Sequence, residues 1–462
     1  MDTVTAAPSA TAAPRLGTLQ FAGYAAGDAA NNLAFSMTSF FLLIYYTDVV
    51  GISAAAAGTL FLLIRIWDAF ADIFAGRVVD RTMTRWGKFR PFFVFAGPPV
   101  LLLSVVTFTV PRQFDGGGAQ LAAAYVTYGL LGLAYSLVNI PYGSLAAAMT
   151  QRPGERAKLA SFRMIGTAVT TIMLAFVVSP QIQQYRGDPD GFQRSLLITT
   201  LIFAVVGVAL YLFLFLTARE SVQRDVAHVS AGQSFTTLRR NKPLIMLCLS
   251  SLAFLTALFS LQTVQVYYAR DVLGNAELLT ALTVLSVGAI FLVAPLMPRL
   301  VRAVGKKRAF LSFGAVGLLA GIGISVSPPS TPWVSMTFFG IMGVSTAGIN
   351  TLMWALEADT VEYGEWQTGV RTEGITYALF SFTRKLGQAV GGAVAAYAIA
   401  LGGYVGGAAV QDQQALDAIR YASGFIPVAF ILIGMLIFFR YPLTEQTFAT
   451  MVAETQARRA AR

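Results

Sequence analysis

Apolar runs separated by short polar breaks recur along the chain, at 18–46, 52–79, 91–110, 119–149, 159–180 and 195–217. They recur again at 243–268, 277–300, 309–327, 332–357, 373–400 and 416–440. About 20 apolar residues are enough for an α-helix to cross a bilayer, so the pattern predicts twelve transmembrane helices, the longer ones tilted. The longest polar break, Ala218 to Lys242, divides six runs from six. The fold class expected is an all-α membrane protein with two six-helix bundles, at 18–217 and 243–440. A cytoplasmic central loop (218–242) joins them, flanked by a disordered tail (1–17) and a C-terminal tail (441–462), both cytoplasmic. Gly76 to Arg81 after the second run and Arg299 to Arg308 after the eighth form a weak echo between the halves, as in transporters built from repeated bundles with a midplane site. Residues 1–17 lack a basic region leading into an apolar one and read as a tail, not a signal peptide.

Composition strengthens the membrane reading. Hydrophobic residues make up 56% of the 462 and charged residues 12%, about half the charged share of a soluble domain. A net charge of +10 suggests nucleic acid only until the basic residues are placed. They gather in the even-numbered connections, from Arg81–Arg90 through Arg299–Arg308 to Arg371, while the odd-numbered connections are poor in them and rich in Asp. That alternation predicts both termini in the cytoplasm and excludes a nucleic-acid surface. With one histidine, His228, and one cysteine, Cys248, a metal cluster, a Ser/His/Asp set within the membrane and an intramolecular disulfide are excluded. A nucleophile or lipid-pyrophosphate motif is likewise lacking, so no enzyme and no cofactor are expected.

A charge at the bilayer centre costs about 2.5–3.5 kcal/mol on insertion scales, so each ionisable residue within a run needs a reason. Arg65, Asp68 and Asp72 lie three and four residues apart, on one helix face. An Arg65–Asp68 pair locking the packing is one reading; it leaves Asp72 without a partner. Two carboxylates beside a cation can also bind a proton or monovalent cation reversibly. Arg384 and Lys385, near the middle of the eleventh run, are expected to face those carboxylates across a cavity. Asp28, Asn31 and Asn32 on the first helix, Tyr135, Ser136 and Asn139 on the fourth and Arg163 on the fifth suit a polyhydroxylated ligand. Helix-to-helix hydrogen bonding explains any one of them equally well, and only their number favours a site. Glu357, Asp359, Glu362, Glu365 and Glu373 cluster at the connection between runs ten and eleven, as solvated loop charges or gate ion pairs. Gly387, Gly391 and Gly392 read as close helix packing.

Three motifs carry a resemblance: Tyr45-Tyr-Thr-Asp-Val49, Arg65-Ile-Trp-Asp-Ala-Phe-Ala-Asp72 and Thr84-Arg-Trp-Gly-Lys-Phe-Arg-Pro91. With Asn139-Ile-Pro-Tyr142, Glu357 to Gly364, Arg371-Thr-Glu-Gly374 and Lys385, the sequence resembles the glycoside-pentoside-hexuronide:cation symporters of the major facilitator superfamily along nearly its whole length. Ala69 to Asp80, Tyr135 to Ser144 and Met353 to Asp359 look nearest to the bacterial glucuronide-carrying branch. The resemblance implies alternating access and a coupling-cation site at Asp68 and Asp72, with Lys385 close by; Ser136 is a further candidate ligand there. It also implies a sugar site from Arg163 and the polar residues of helices one and four, Asp28, Asn31, Asn32, Tyr135 and Asn139, to which the charge argument adds Arg384 for a substrate carboxylate. Gate or conformational roles are expected for Arg65, Gly76, Asp80, Arg81, Asp359, Glu362 and Arg371. The melibiose-carrying branch has aspartate where this chain has Asn32 and Asn139, and asparagine where it has Ala71. Amides for carboxylates, with Arg384 added, favour an anionic glycoside. Losing a neutral oxygen ligand at position 71 favours a proton over sodium.

The expectation is therefore a proton-coupled importer of a β-glucuronide or related hexuronide in a bacterial inner membrane, with lipid and substrate as its partners and a monomer sufficient. Sodium coupling, with Ser136 as a ligand, and a neutral xyloside, glucoside or galactoside remain the alternatives.

Overall fold

The computed structural model describes residues 15–150, 152–220, 241–369, 373–408 and 410–460. Within them the regular structure is helical throughout. The first half holds α1 (Thr18–Ile44), α2 (Ala54–Arg81), α3 (Arg90–Phe95), α4 (Gly97–Thr107), α5 (Gly117–Met149), α6 (Pro153–Gln184) and α7 (Pro189–Thr217). The second half holds α8 (Lys242–Tyr267), α9 (Leu278–Val304), α10 (Lys306–Val326), α11 (Pro332–Thr368), α12 (Glu373–Leu401), α13 (Gln413–Phe439) and α14 (Glu445–Ala460). Eleven spans among the described residues are long and apolar enough to cross a membrane, α3 and α4 together forming one. The twelfth expected crossing is α12, 29 residues long and carrying Arg384 and Lys385 in its course.

Local chemistry sets the helix ends. The Ser53 hydroxyl accepts from the Ala56 N–H, the Asp188 carboxylate from Gly191 and the Asn241 amide oxygen from Leu244, each satisfying an N–H that the first helical turn leaves open. Three helices, α6, α7 and α11, overrun their expected spans by six residues or more at one end. The clearest is α11: it continues past Glu357 to Thr368, ending where Gly369 takes a left-handed φ of 71°. Glu357, Asp359, Glu362 and Glu365 are thus helical and not loop residues, because polar side chains end an apolar run without ending a helix. Residues 445–460 of the expected tail form α14, tied back by Trp366 Nε1 donating to Glu454 and Arg458 donating to the Trp366 carbonyl. The central loop from 221 to 240, with His228, and residues 1–14 lie outside the described residues.

Two helix ends share a feature. α1 runs into a π-helical turn at Tyr45–Val50 before Gly51 (φ 86°), and α8 runs into one at Tyr268–Val272 before Gly274 (φ 74°). They follow the related stretches Tyr45-Tyr-Thr-Asp-Val-Val-Gly51 and Tyr267-Tyr-Ala-Arg-Asp-Val-Leu-Gly274.

Within the first half α1 packs on α6 and α7, and α2 on α5; within the second α8 packs on α12 and α13, and α11 on α9 and α10. The halves meet through α1–α8, α2–α12 and α6–α9. Exchanging each crossing for its counterpart six crossings later returns the same three pairs, the signature of a two-fold relation between repeats. A Cβ on Gly387 would lie 2.7 Å from the Leu255 Cβ and one on Gly391 2.6 Å from the Thr256 carbonyl oxygen, so these glycines let α12 approach α8.

Candidate functional site

Two polar clusters lie along the seam between the halves. The first is built on α2. One turn apart, Asp68 and Asp72 share a face, and α5 and α12 bring partners to it. Arg65 Nη1 donates to Asp68 Oδ2 at 3.0 Å, Ser136 Oγ donates to Asp72 Oδ1 at 2.7 Å, and the Lys385 ammonium pairs with Asp72 Oδ2 from the opposite half. Asp72, left without a partner in the ion-pair reading, thus acquires two. Asp68 Oδ1 is buried and accepts no hydrogen bond among the described residues. Its space comes from Gly132 of α5, where a Cβ would sit 2.3 Å from that oxygen. Arg65, for which a gate or conformational role is expected, joins this cluster through the Arg65–Asp68 pair that its three-residue spacing allows within one helix turn.

The second cluster joins α1, α5 and α6. Arg163 Nε donates to Asp28 Oδ1 at 3.0 Å; Asn32 Nδ2 and the Thr167 hydroxyl both donate to Asp28 Oδ2, the former at 3.0 Å. Ser36 Oγ donates to Asn32 Oδ1 at 3.0 Å. The Arg163 guanidinium lies 5.3 Å from the centre of the Tyr142 ring, which stacks on Tyr24. Tyr135 stacks on Phe35 and feels charges of both clusters, Asp28 and Arg163 of the second and Arg65 and Asp72 of the first. Asn31 departs from its expected place: its Oδ1 accepts from Tyr211 at 2.7 Å, which ties α1 to α7. Asn139 is half-buried on α5, one turn beyond Tyr135.

Arg384 also departs from expectation. Consecutive helix residues point about 100° apart, so while Lys385 reaches Asp72, Arg384 turns toward α11. There its Nη1 donates to Asn350 Oδ1 at 3.0 Å and its guanidinium lies 4.9 Å from the centre of the Trp354 ring. Trp354 stacks on Tyr377, about half exposed, and meets Phe380 edge-on. Arg384 meets no carboxylate among the described residues, and the charged side chain that it feels across the seam is Arg163, of like sign. Asn350, Trp354 and Tyr377 were not singled out from the sequence; Tyr377, two turns before Arg384 on the same helix, was a usable signal.

The remaining gate candidates brace each half from within. Asp80 pairs with Lys88 at 2.9 Å and Asp359 with Lys306 at 2.6 Å. A Cβ on Gly76 would meet open space, Arg81 is exposed and Glu362 half-buried; Arg371 lies outside the described residues.

At the end of the molecule away from the chain termini the halves lock together. Arg270 Nη1 donates to Asp48 Oδ1 at 2.8 Å, the Tyr404 hydroxyl donates to Asp48 Oδ2 at 2.9 Å, the Gly407 N–H donates to Asp48 Oδ1 at 3.1 Å, and Arg270 also pairs with Asp271. Thr47 and Tyr267, from the two π-turn regions, share a 3.0 Å hydrogen bond. Burial pushes the Tyr404 hydroxyl well above the usual phenol range, against the pull of Arg270, so it keeps its proton to donate. Nearby, Thr280 of α9 bonds the Ala175 carbonyl and Ser179 of α6. This lock was missed because Asp48 reads as one more acidic loop residue.

Residues 23–445 match the family model described as MFS/sugar transport protein. The chain is 45% identical over 442 residues to the glucuronide carrier protein homolog of Escherichia coli K12, with 95% of each chain covered. It is 33% identical to the isoprimeverose transporter of Lactiplantibacillus pentosus, with 88% of this chain and 84% of that one covered. In three dimensions it is similar to a bacterial homologue of the human lysosomal transporter spinster, with a TM-score of 0.67, 12% identity and 94% and 97% of the two chains covered.

Proposed function

From the premise that this chain belongs to the MFS/sugar transport protein family, a family of multi-pass membrane transporters and not of enzymes, we propose that it imports a β-glucuronide or related hexuronide together with a proton. The observation that carries the substrate class is Arg384. Arg384 is half-buried, and a guanidinium drawn part of the way out of water is stabilised by a counter-charge. Arg65 and Arg163 have theirs in Asp68 and Asp28; Arg384 has an amide, an indole face and the repulsion of Arg163. A substrate carboxylate supplies the missing charge, and a guanidinium holds a carboxylate through two parallel hydrogen bonds. The hydroxyls go to the groups around Arg163, Asn32 and Tyr135, with Trp354 and Tyr377 covering an apolar ring face. The 45% identity to a glucuronide carrier homolog supports the same class.

The coupling site is the α2 cluster. A hard cation such as sodium needs several oxygen ligands; here Lys385 already neutralises Asp72, Arg65 holds one oxygen of Asp68, and Ala71 supplies no side-chain oxygen. Asp68 Oδ1, buried and without a partner, has the valence to take a proton. Tyr135, which feels charges of both clusters, connects protonation to sugar binding. The basic connections orient the chain in a bacterial inner membrane with both termini in the cytoplasm.

The test compares uptake of a β-glucuronide and of the β-glucoside with the same aglycone by membrane vesicles. The wild-type chain is expected to prefer the glucuronide. Arg384→Gln loses one charged contact, about 1.5–3 kcal/mol or about tenfold to a hundredfold in affinity, and keeps the glucoside. Equal uptake of both by the wild type overturns the anion site and favours a neutral glycoside, the class named for the isoprimeverose relative.

A further inference from the structure

Arg163 and Arg384 stand on related stretches of sequence. Arg163-Met-Ile-Gly-Thr-Ala-Val169 on α6 and Arg384-Lys-Leu-Gly-Gln-Ala-Val390 on α12 share Arg, Gly, Ala and Val at the same spacing. α6 packs on α1 as α12 packs on α8, so the match agrees with the two-fold relation between the halves. The glycines fix the register on the partner helix. A Cβ on Gly166 would lie 2.7 Å from the Ala25 carbonyl oxygen, and one on Gly387 would lie 3.1 Å from the Leu252 carbonyl oxygen. The arginine comes one turn before each glycine. One turn after each carbonyl comes Asp28 in the first half and Leu255 in the second. Asp28 pairs with Arg163 at 3.0 Å. Leu255 is buried and lines one small gap together with Asn350, the residue that accepts from Arg384. We propose that Leu255 is a specificity-determining residue: it stands where the first half keeps a carboxylate, and by withholding that counter-ion it leaves Arg384 to be neutralised by the substrate.

The proposal rests on the hexuronide reading and deepens it. In the first half the protein neutralises its own arginine, and an incoming anion meets a guanidinium already paired. In the second half the same position is apolar, and the substrate carboxylate takes the part that Asp28 plays for Arg163. A neutral glycoside gains nothing from the unpaired guanidinium and leaves it without a counter-charge, so the leucine discriminates by what it fails to supply. A carboxylate on α8 at this position would remove the discrimination, because an anion beside an existing ion pair feels little net attraction.

The first measurement is the ratio of the affinity for a β-glucuronide to that for the β-glucoside with the same aglycone, from competition uptake by vesicles carrying the full chain. Leu255→Asp supplies the counter-ion and is expected to lower the ratio about tenfold to a hundredfold. Leu255→Asn, of the same outline and uncharged, is expected to change it little. An unchanged ratio in Leu255→Asp, or an equal loss in Leu255→Asn, overturns the proposal. The second measurement needs no substrate: the melting temperature of the purified carrier. The fall caused by Leu255→Asp is expected to be larger in the Arg384→Gln carrier than in the wild type, because the new carboxylate then has no partner. Equal falls, or loss of folding in Leu255→Asp alone, overturn the pairing. If the wild type takes glucuronide and glucoside alike, the hexuronide reading fails on that result, and the melting comparison decides the pairing separately.

Discussion

A carboxylate in the membrane interior persists where its neighbours supply charge or protons, and Asp72 and Asp68 solve this differently. Asp72 has an ammonium from across the seam and a hydroxyl from α5; Asp68 has one guanidinium and one bare oxygen. Asp68→Asn and Asp72→Asn are each expected to abolish gradient-driven accumulation while leaving downhill exchange of sugar, because the proposed sugar groups stand on helices other than α2. Counterflow against energised uptake in the same vesicles checks this, and full accumulation by both variants contradicts it. Gly132→Ala would push a Cβ into the bare oxygen of Asp68. Overpacking costs about 1–3 kcal/mol, and the variant is expected to lower coupled uptake tenfold or more while counterflow persists. The i, i+3, i+7 spacing of Arg65, Asp68 and Asp72 made this face legible in the sequence. The split between Lys385 and Arg384 was not, since which neighbour each meets depends on how α12 is rotated against α2 and α11, and that is set by packing at glycines such as Gly387.

At the scale of elements, the paired π-turns ending α1 and α8 matter most. A π-turn takes one more residue per hydrogen-bonded ring than an α-turn and often marks a functional position. Here the second stretch, Tyr267 to Gly274, is one residue longer than Tyr45 to Gly51, although its π-turn is one residue shorter, and Arg270 stands opposite Asp48. The closeness of the lock is set by Gly406, where a Cβ would lie 2.0 Å from the Thr47 carbonyl oxygen. Removing one member of a buried ion pair costs about 3–5 kcal/mol, enough to shift an open–closed ratio about a hundredfold or more. Arg270→Gln and Gly406→Ala are therefore expected to expose the seam between α6 and α9 at that end. The readout is labelling of a cysteine at Ser179, fully buried now, by an impermeant maleimide with Cys248 replaced by Ser. Faster labelling in both variants is the expected outcome, and rates equal to those of the unmutated lock contradict it. The sequence carries this echo, yet its inserted residue and opposite charges hide it from a search for matching motifs. The strong apolar periodicity, by contrast, made the helices themselves legible, with errors confined to ends such as α11, where polarity changes before helicity does.

The whole molecule is two halves that brace themselves and touch along few lines. Ion pairs such as Lys88–Asp80 and Lys306–Asp359 stay within a half, whereas Arg270–Asp48 and Lys385–Asp72 cross between them. Two halves joined by contacts that can break suit alternating access around a fixed site, and the proposed proton site at Asp68 and Asp72 lies on one of the crossing contacts. On the proposed function, binding of proton and sugar acts on the same seam that must open. The two-bundle division was legible because hydropathy counts crossings and the long break from Ala218 to Lys242 marks the midpoint. The position of the sugar site relative to Arg384, Trp354 and Tyr377 needed the folded chain, since these residues meet from two helices. The central claim is that a hexuronide and a proton cross together. The most direct measurement is the external pH of lightly buffered, right-side-out vesicles when a β-glucuronide is added without an imposed gradient. The account predicts alkalinisation with the glucuronide, a much smaller response to the matched glucoside, and none in Asp68→Asn. Glucuronide uptake without a pH change, or uptake that requires sodium, would contradict it.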